Sequence, residues 1–239
     1  MKTKILLSLV CFVAAFVTLP ARSADASTNA PTGPGAAEIA KQSSAKYASL
    51  TSYSDEGVTI STLGKTIAKS YLFTLKLART DLYQIVWRQG DEIKGAAWSA
   101  GNGDSLWMGN GFEPKQFKNK DQTLAAATGI SGGVAGNLPG TFFNMNWGGL
   151  LRTHQADFIR APDDKVGDVD CFVLTYAAGG HANTVWIGQQ DYLIHQVEND
   201  TSGKVVRAAL EAQADKNPQI RALLNSGDPQ LSQDVKSVE

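Results

Sequence analysis

From Tyr53 onward, apolar residues return at every second position, and a chain with that period has few options beyond half-buried β-strands. Tyr71, Phe73, Leu75 and Leu77 share one face of an extended segment while Thr74 and Lys76 share the other. Tyr83, Ile85 and Trp87 then repeat the pattern opposite Gln84 and Arg88. One apolar and one polar face per strand is the mark of an antiparallel sheet packed on a core from one side. Turn signals follow at short intervals. Gln89-Gly90-Asp91 precedes a strand at Ile93 to Trp98, and the run Ala100 to Asp104 precedes another at Leu106 to Met108, so a meander is the simplest connection.

The rhythm breaks in the middle of the chain. Asp121 to Thr128 is alanine-rich and helical, Gly129 can cap it, and Ser131 to Gly140 holds four glycines and a proline. Phe142, Phe143 and Trp147 lead into Gly148-Gly149 and Leu150-Leu151. Such a segment between two groups of strands reads either as a cover over a sheet, moving about Gly132, Gly133, Gly136 and Gly140, or as an ordinary packed loop and helix. Strands resume at Ala156 to Arg160, Val169 to Tyr176, Thr184 to Ile187 and Leu193 to Glu198. Helical spacing marks Ala36 to Leu50, through Ile39, Ser43, Tyr47 and Leu50, and also Val205 to Ala214. Asn217-Pro218 has the form of an N-cap followed by proline at the first helical position; Ile220, Leu223 and Leu224 supply the buried stripe and Gly227 the stop. Alternation begins again at Val235 to Val238, just before Glu239.

The N-terminus carries a different message. Cationic Lys2 and Lys4, the 15-residue apolar run Ile5 to Leu19 and the small residues around Ala26 form a cleavable secretory signal over residues 1–26. At 1.5 Å per residue the run is short for a hydrocarbon core of roughly 30 Å, so it is a targeting helix rather than an anchor. Residues 27–35 are small, polar and rich in helix breakers, as a flexible leader would be. Cys11 lies in mid-run without the small residue that lipidation needs before it. Without Lys2, Lys4, Arg22 and Asp25, the 22 basic and 23 acidic residues of the whole chain become 19 and 22, a charge of −3 that argues against a nucleic-acid partner. Cys171 then has no partner for a disulfide, so stability must come from an ordinary core.

Four stretches carry a family resemblance: Lys46 to Gly57, Ala78 to Tyr83, Gly167 to Leu174, and Val185 to Gly188 leading to Leu193–Val197. In order and content they resemble the superfamily of periplasmic lipoprotein-carrier-like proteins, LolA- and LolB-like, and within it the outer-membrane lipoprotein-sorting-like branch. The resemblance implies a mainly β, α+β fold: a half-open antiparallel β-barrel of about eleven strands around an apolar cavity, with a helical lid. It implies a monomeric, non-enzymatic periplasmic carrier whose partner is a lipid or an acylated lipoprotein, with an envelope membrane protein as a further partner. Two departures stand out. The helical stretch near 204–226 is an insertion relative to compact carriers, and the chain reaches Glu239 where such proteins usually continue with at least one more strand, which leaves closure of that sheet edge an open question.

On that fold the concave face would carry Phe73, Leu75, Leu77, Tyr83, Ile85 and Trp87, with Phe142, Phe143 and Trp147 from the cover. Together they would line an apolar cavity, where each buried methylene of an acyl chain contributes about 0.8 kcal/mol. The alternative is that the same side chains simply fill the core, and the molecule is an envelope sensor or protein-interaction module. A third reading, a serine hydrolase, rests on Gly129-Ile130-Ser131-Gly132-Gly133, which matches G-x-S-x-G. That elbow needs a strand before it and a helix after it, and the alanine-rich run before Ser131 does not supply one. His154, His181 and His195 show no metal-ligand spacing, and no cofactor motif is present, so neither metal nor cofactor is expected. Cys171, alternating with Val169 and Val173, reads as a small buried apolar residue.

Overall fold

The alternation becomes a single sheet in the computed structural model, which describes residues 33–239 apart from 65, 100–102, 110, 154, 216 and 227. The secretory signal, most of the leader, His154 and the Gly227 stop lie outside the described residues. Helix α1 (Ala36–Ser49) opens the fold and buries Ile39, Ala40, Ser43 and Tyr47, the stripe its sequence presents. The first half of the sheet is a meander of β1 (Ser52–Leu63), β2 (Thr66–Ala78), β3 (Leu82–Gln89), β4 (Glu92–Ser99), β5 (Asp104–Trp107) and β6 (Lys115–Phe117). Helices α2 (Lys120–Thr128), α3 (Val134–Phe142) and α4 (Leu150–Thr153) follow. The second meander is β7 (Ile159–Val166), β8 (Val169–Ala178), β9 (His181–Gly188) and β10 (Ile194–Thr201). Helices α5 (Gly203–Ala214) and α6 (Pro218–Asn225) then lead to β11 (Val235–Val238).

The strand order is β6-β5-β4-β3-β2-β1-β11-β10-β9-β8-β7, antiparallel throughout and unclosed, with β6 and β7 as its edges. The half-open, mainly β architecture with helices is therefore as the sequence led us to expect. The final strand is not at an edge. β11 lies in the middle of the sheet and joins the two meanders, pairing Ile60 with Val238 on one side and Glu198 with Val238 on the other. The question of closure at Glu239 is thus answered by pairing on both sides of β11. A correction concerns β7, which starts at Ile159 because residues 155–157 form a turn.

Cross-strand register explains how the concave face is filled. Gly57 pairs with Phe73, Phe73 with Trp87, and Trp87 with Gly95, so two large rings lie between two glycines. A Cβ on Gly57 would sit 2.7 Å from the Phe73 ring, and one on Gly95 would overlap Trp87. The next row, Leu75, Ile85 and Ala97, is wholly buried. Against these rows pack Ile39 and Tyr47 from α1, Leu124 from α2, Val134, Leu138 and Phe142 from α3, and Leu151 from α4.

The glycines of the middle segment serve close packing. A Cβ on Gly140 would meet the Gly149 nitrogen at 2.5 Å, and one on Gly148 the Gly136 carbonyl oxygen at 2.7 Å. Gly136 and Gly140 are thus contact points between backbones inside and beside α3 and not hinges. Gly132 and Gly133, at φ of 73° and 109°, make the turn between α2 and α3. Gly129 ends α2 in right-handed helical geometry, so the left-handed stop comes three residues later than its position suggests.

The helical insertion between β10 and β11 has a small core of its own: Val206, Leu210, Ile220, Leu231 and Val235. Asn217 caps α6 as read, its side chain accepting from the backbone N–H groups of Gln219 and Ile220. Asp234 does the equivalent for α5, accepting from the Gly203 N–H at 2.8 Å.

Candidate functional site

The site lies beside β11. That strand pairs with β1 only from Ile60 to Leu63 and with β10 only from Glu198 to Thr201, and one further pair of backbone hydrogen bonds joins Glu239 to Val197 at 2.9 and 3.0 Å. Beyond that point no described strand lies between Ser52–Thr59 of β1 and Ile194–Gln196 of β10. The result is a slot in mid-sheet, a pocket of about 450 Å³. Its walls are Tyr53 to Val58 on one side and Leu193 to Val197 on the other, with Phe73, Leu138, Val238 and Glu239 completing the lining.

Tyr53, at one end of the slot, rests on the fully buried Tyr47. The Tyr47 ring meets the Tyr53 ring edge-on with centroids 5.4 Å apart, and the Tyr47 hydroxyl accepts from the Ile194 N–H at 3.1 Å. Burial pushes the Tyr47 phenol up to about 12, and burial, with Tyr47 and Asp55 beside it, pushes Tyr53 higher still. Both therefore stay neutral. The Tyr53 hydroxyl donates to Asp55 Oδ2 at 2.6 Å, and Asp55 Oδ1 accepts from the Glu56 N–H at 2.9 Å. His195 Nε2 lies 3.0 Å from Asp191 Oδ2.

Glu239 sits where the sheet meets α3. Its Oε1 accepts from Asn137 Nδ2 at 2.5 Å, while its Oε2 is buried with no hydrogen-bond partner. Burial raises this carboxyl to about 7, with the Asn137 bond pulling it down and the Asp55 charge pushing it up. A second buried tie, the Thr59 hydroxyl donating to the Gly132 carbonyl at 3.1 Å, holds the α2–α3 turn to β1. Of the nine residues expected to line a cavity, Phe73 lines this slot. Leu75, Leu77, Tyr83, Ile85, Trp87 and Phe142 are buried in the main core, and Phe143 and Trp147 are half-buried against it. The polar lining was not recognised in the sequence reading, although Asp55 alternates with Tyr53 and Gly57 on the inward face of β1.

Arg79 is a structural hub that the sequence reading also missed. Its guanidinium donates to the carbonyls of Leu50, Tyr47 and Phe142 at 2.9, 2.7 and 2.6 Å, and it stacks over the Phe142 ring at 4.1 Å. It thereby satisfies the C-terminal carbonyls of α1 and α3 together. The G-x-S-x-G stretch links two helices. The Ser131 hydroxyl is buried, donates to the Thr128 carbonyl at 3.3 Å and accepts from the Ala135 N–H at 3.1 Å, which makes it a cap for α3 rather than an exposed nucleophile at a strand end. Cys171 is fully buried, and burial pushes its thiol up. Among the described residues no group of His, Cys, Asp or Glu could hold a metal, and no helix is long and apolar enough to cross a membrane.

The architecture is that of an open antiparallel half-barrel with helices packed into its concave side. No family model and no curated protein matches the chain. Three solved structures are similar to it. Lipoprotein LppX from Mycobacterium tuberculosis is 13% identical over 84% of this chain and 91% of its own, with a TM-score of 0.42. A putative outer membrane lipoprotein-sorting protein domain from Vibrio parahaemolyticus is 10% identical over 85% and 91%, at 0.35. A LolA superfamily protein from Nitrosomonas europaea is 10% identical over 71% and 73%, at 0.29. The description of the fold rests on the strand order and register given above.

Proposed function

We propose that this protein is a non-enzymatic carrier that shields the apolar part of a lipid or an acylated protein in the slot between β1 and β10. The observation that carries the reading is the slot itself. Its volume of about 450 Å³ falls in the range of small-molecule sites, and Phe73, Leu138, Ile194 and Val197 give it an apolar floor. Shielding needs no reactive group, and an acyl chain entering the slot leaves water at a gain of about 0.8 kcal/mol per methylene. The secretory signal read at residues 1–26 fits this role, since a periplasmic address would place the protein in a compartment where acyl chains must cross water between two membranes.

The test uses protein purified under non-denaturing conditions. Native mass spectrometry is expected to reveal a lipid-sized adduct, and after delipidation a neutral fluorophore such as Nile red is expected to bind with one site per chain. Protein that yields neither adduct nor binding would sink the proposal.

A second reading, an interaction module with a filled core, draws on a different observation. The greater part of the concave face is solid, and the outer face exposes Val58 and Leu72, direct partners across β1 and β2, at 44% and 52%. Cross-linking in the native envelope separates the two readings, because an interaction module yields one dominant protein partner whether or not lipid is bound.

A further inference from the structure

Register fixes the width of the slot and the backbone groups that face it. Ile60 and Glu198 flank Val238 from its two sides, so at the head of the slot β1 and β10 stand two ladder spacings apart, about 9–10 Å. That is room for one strand. Backbone direction alternates along a strand. The Asp234 carbonyl accepts from the Gly64 N–H at 2.8 Å, and on the far side the Thr51 carbonyl accepts from the Arg79 N–H at 2.8 Å. Even-numbered residues of β1 therefore turn their N–H and C=O toward β11, and odd-numbered residues toward β2. Past Ile60, the residues of the even set are Val58, Glu56 and Ser54, and all three line the slot. Among the described residues no strand meets them on that side. The Glu56 N–H donates instead to Asp55 Oδ1 at 2.9 Å, a side chain standing where the carbonyl of a neighbouring strand would be.

We propose that the slot takes an extended polypeptide segment as an added strand, laid antiparallel to β1 in the line of β11. This goes beyond the carrier reading, since it uses the backbone edge of the slot rather than its floor. The segment would be about five residues long, roughly 17 Å, pairing with Val58, Glu56 and Ser54. Its side chains would alternate between solvent and the floor, where a residue opposite Gly57 meets Phe73 and Leu138. The partner is thus a chain with apolar residues at every second position, and its main chain supplies the affinity.

The probe is a blocked pentapeptide, acetyl-Thr-Leu-Thr-Leu-Thr-amide, added to delipidated protein and followed by NMR through the hydrogen exchange of individual amides. In the free protein the Val58 amide is expected to exchange quickly, and those of Gly57 and Thr59, which point toward β2, slowly. With saturating peptide, exchange at Val58 should slow at least about tenfold, equivalent to about 1.4 kcal/mol, while Gly57 and Thr59 stay unchanged. The same peptide N-methylated at its central threonine cannot donate to the Glu56 carbonyl and should bind at least about tenfold more weakly. Val58→Pro removes a slot-facing N–H and no bond to β2, and should weaken the unmodified peptide to a similar degree; if that variant does not fold, the N-methylated peptide carries the comparison. Peptide binding without slowed exchange at Val58, equal affinity of the methylated peptide, or no peptide binding in protein that takes up Nile red overturns strand addition and leaves the carrier reading standing. Slowed exchange at Val58 in protein that takes up no Nile red supports strand addition and overturns the carrier reading.

Discussion

Glu239 gives the protein an unusual response to pH. Its carboxyl is raised to about 7 in the folded chain against an ordinary value of 4.5, so between those values the folded protein holds a proton that the unfolded chain has released. Stability from this group is therefore greatest at low pH and declines as pH rises from 4.5 through about 7, by about 3 kcal/mol in all. Urea unfolding of the wild type and Glu239→Gln at pH 5 and pH 8 checks the sign: the two should be equally stable at pH 5, and the variant more stable at pH 8. Arg79 acts in the opposite sense, as a charge whose bonds are complete. Arg79→Ala would strand the carbonyls of Leu50 and Phe142 and leave that of Tyr47 with the Leu50 N–H alone, and a loss of about 3 kcal/mol is expected in denaturant titration. Arg79→Lys should recover only part of that loss, because an ammonium cannot span all three acceptors in one plane.

At the scale of elements, the α3 segment is fixed by glycines that let backbones touch. Gly140→Ala places a methyl group against the Gly148 and Gly149 backbone, which cannot swing aside as a side chain could. A destabilisation of about 2–4 kcal/mol is expected, read as a lower melting temperature, whereas Gly90→Ala, where a Cβ meets open space, should cost only the strain of its positive φ. The α5–α6 insertion stands apart from the main core on its own few apolar contacts. Hydrogen exchange is expected to open it before the central strands, since local stability follows buried apolar contact. Exchange in α5 as slow as in β2 would contradict that assignment.

For the whole molecule, two meanders joined through β11 border a slot between β1 and β10. Filling the slot from within tests whether it is the binding site. Leu138→Trp projects a larger ring from α3 into it, and Nile red binding is expected to fall at least about tenfold while the fold is kept. Conversely, a ligand present at 100 times its Kd should stabilise the wild type by about 2.7 kcal/mol, raising the melting temperature by roughly 5–10 °C. The same ligand should leave Leu138→Trp unmoved.

The sequence by itself determined the elements and their faces. Period-two alternation put Phe73, Leu75, Leu77, Tyr83, Ile85 and Trp87 on one side of β2 and β3, and the Asn217-Pro218 pair placed the start of α6 correctly, because both signals are local and are settled by the nearest few residues. Tertiary structure alone decided which of those inward side chains border empty space. Alternation fixes a face but not the neighbour across it, and Phe73 lines the slot while Trp87, one strand away in the same row, is sealed in the core. The position of β11 was equally out of reach: four alternating residues fit an edge or a centre alike, and only pairing with both β1 and β10, whose residues opposite the same β11 position lie 138 apart in the chain, as Ile60 and Glu198 do across Val238, chose the centre. The slot and the buried carboxylate of Glu239 beside it both descend from that one long-range choice.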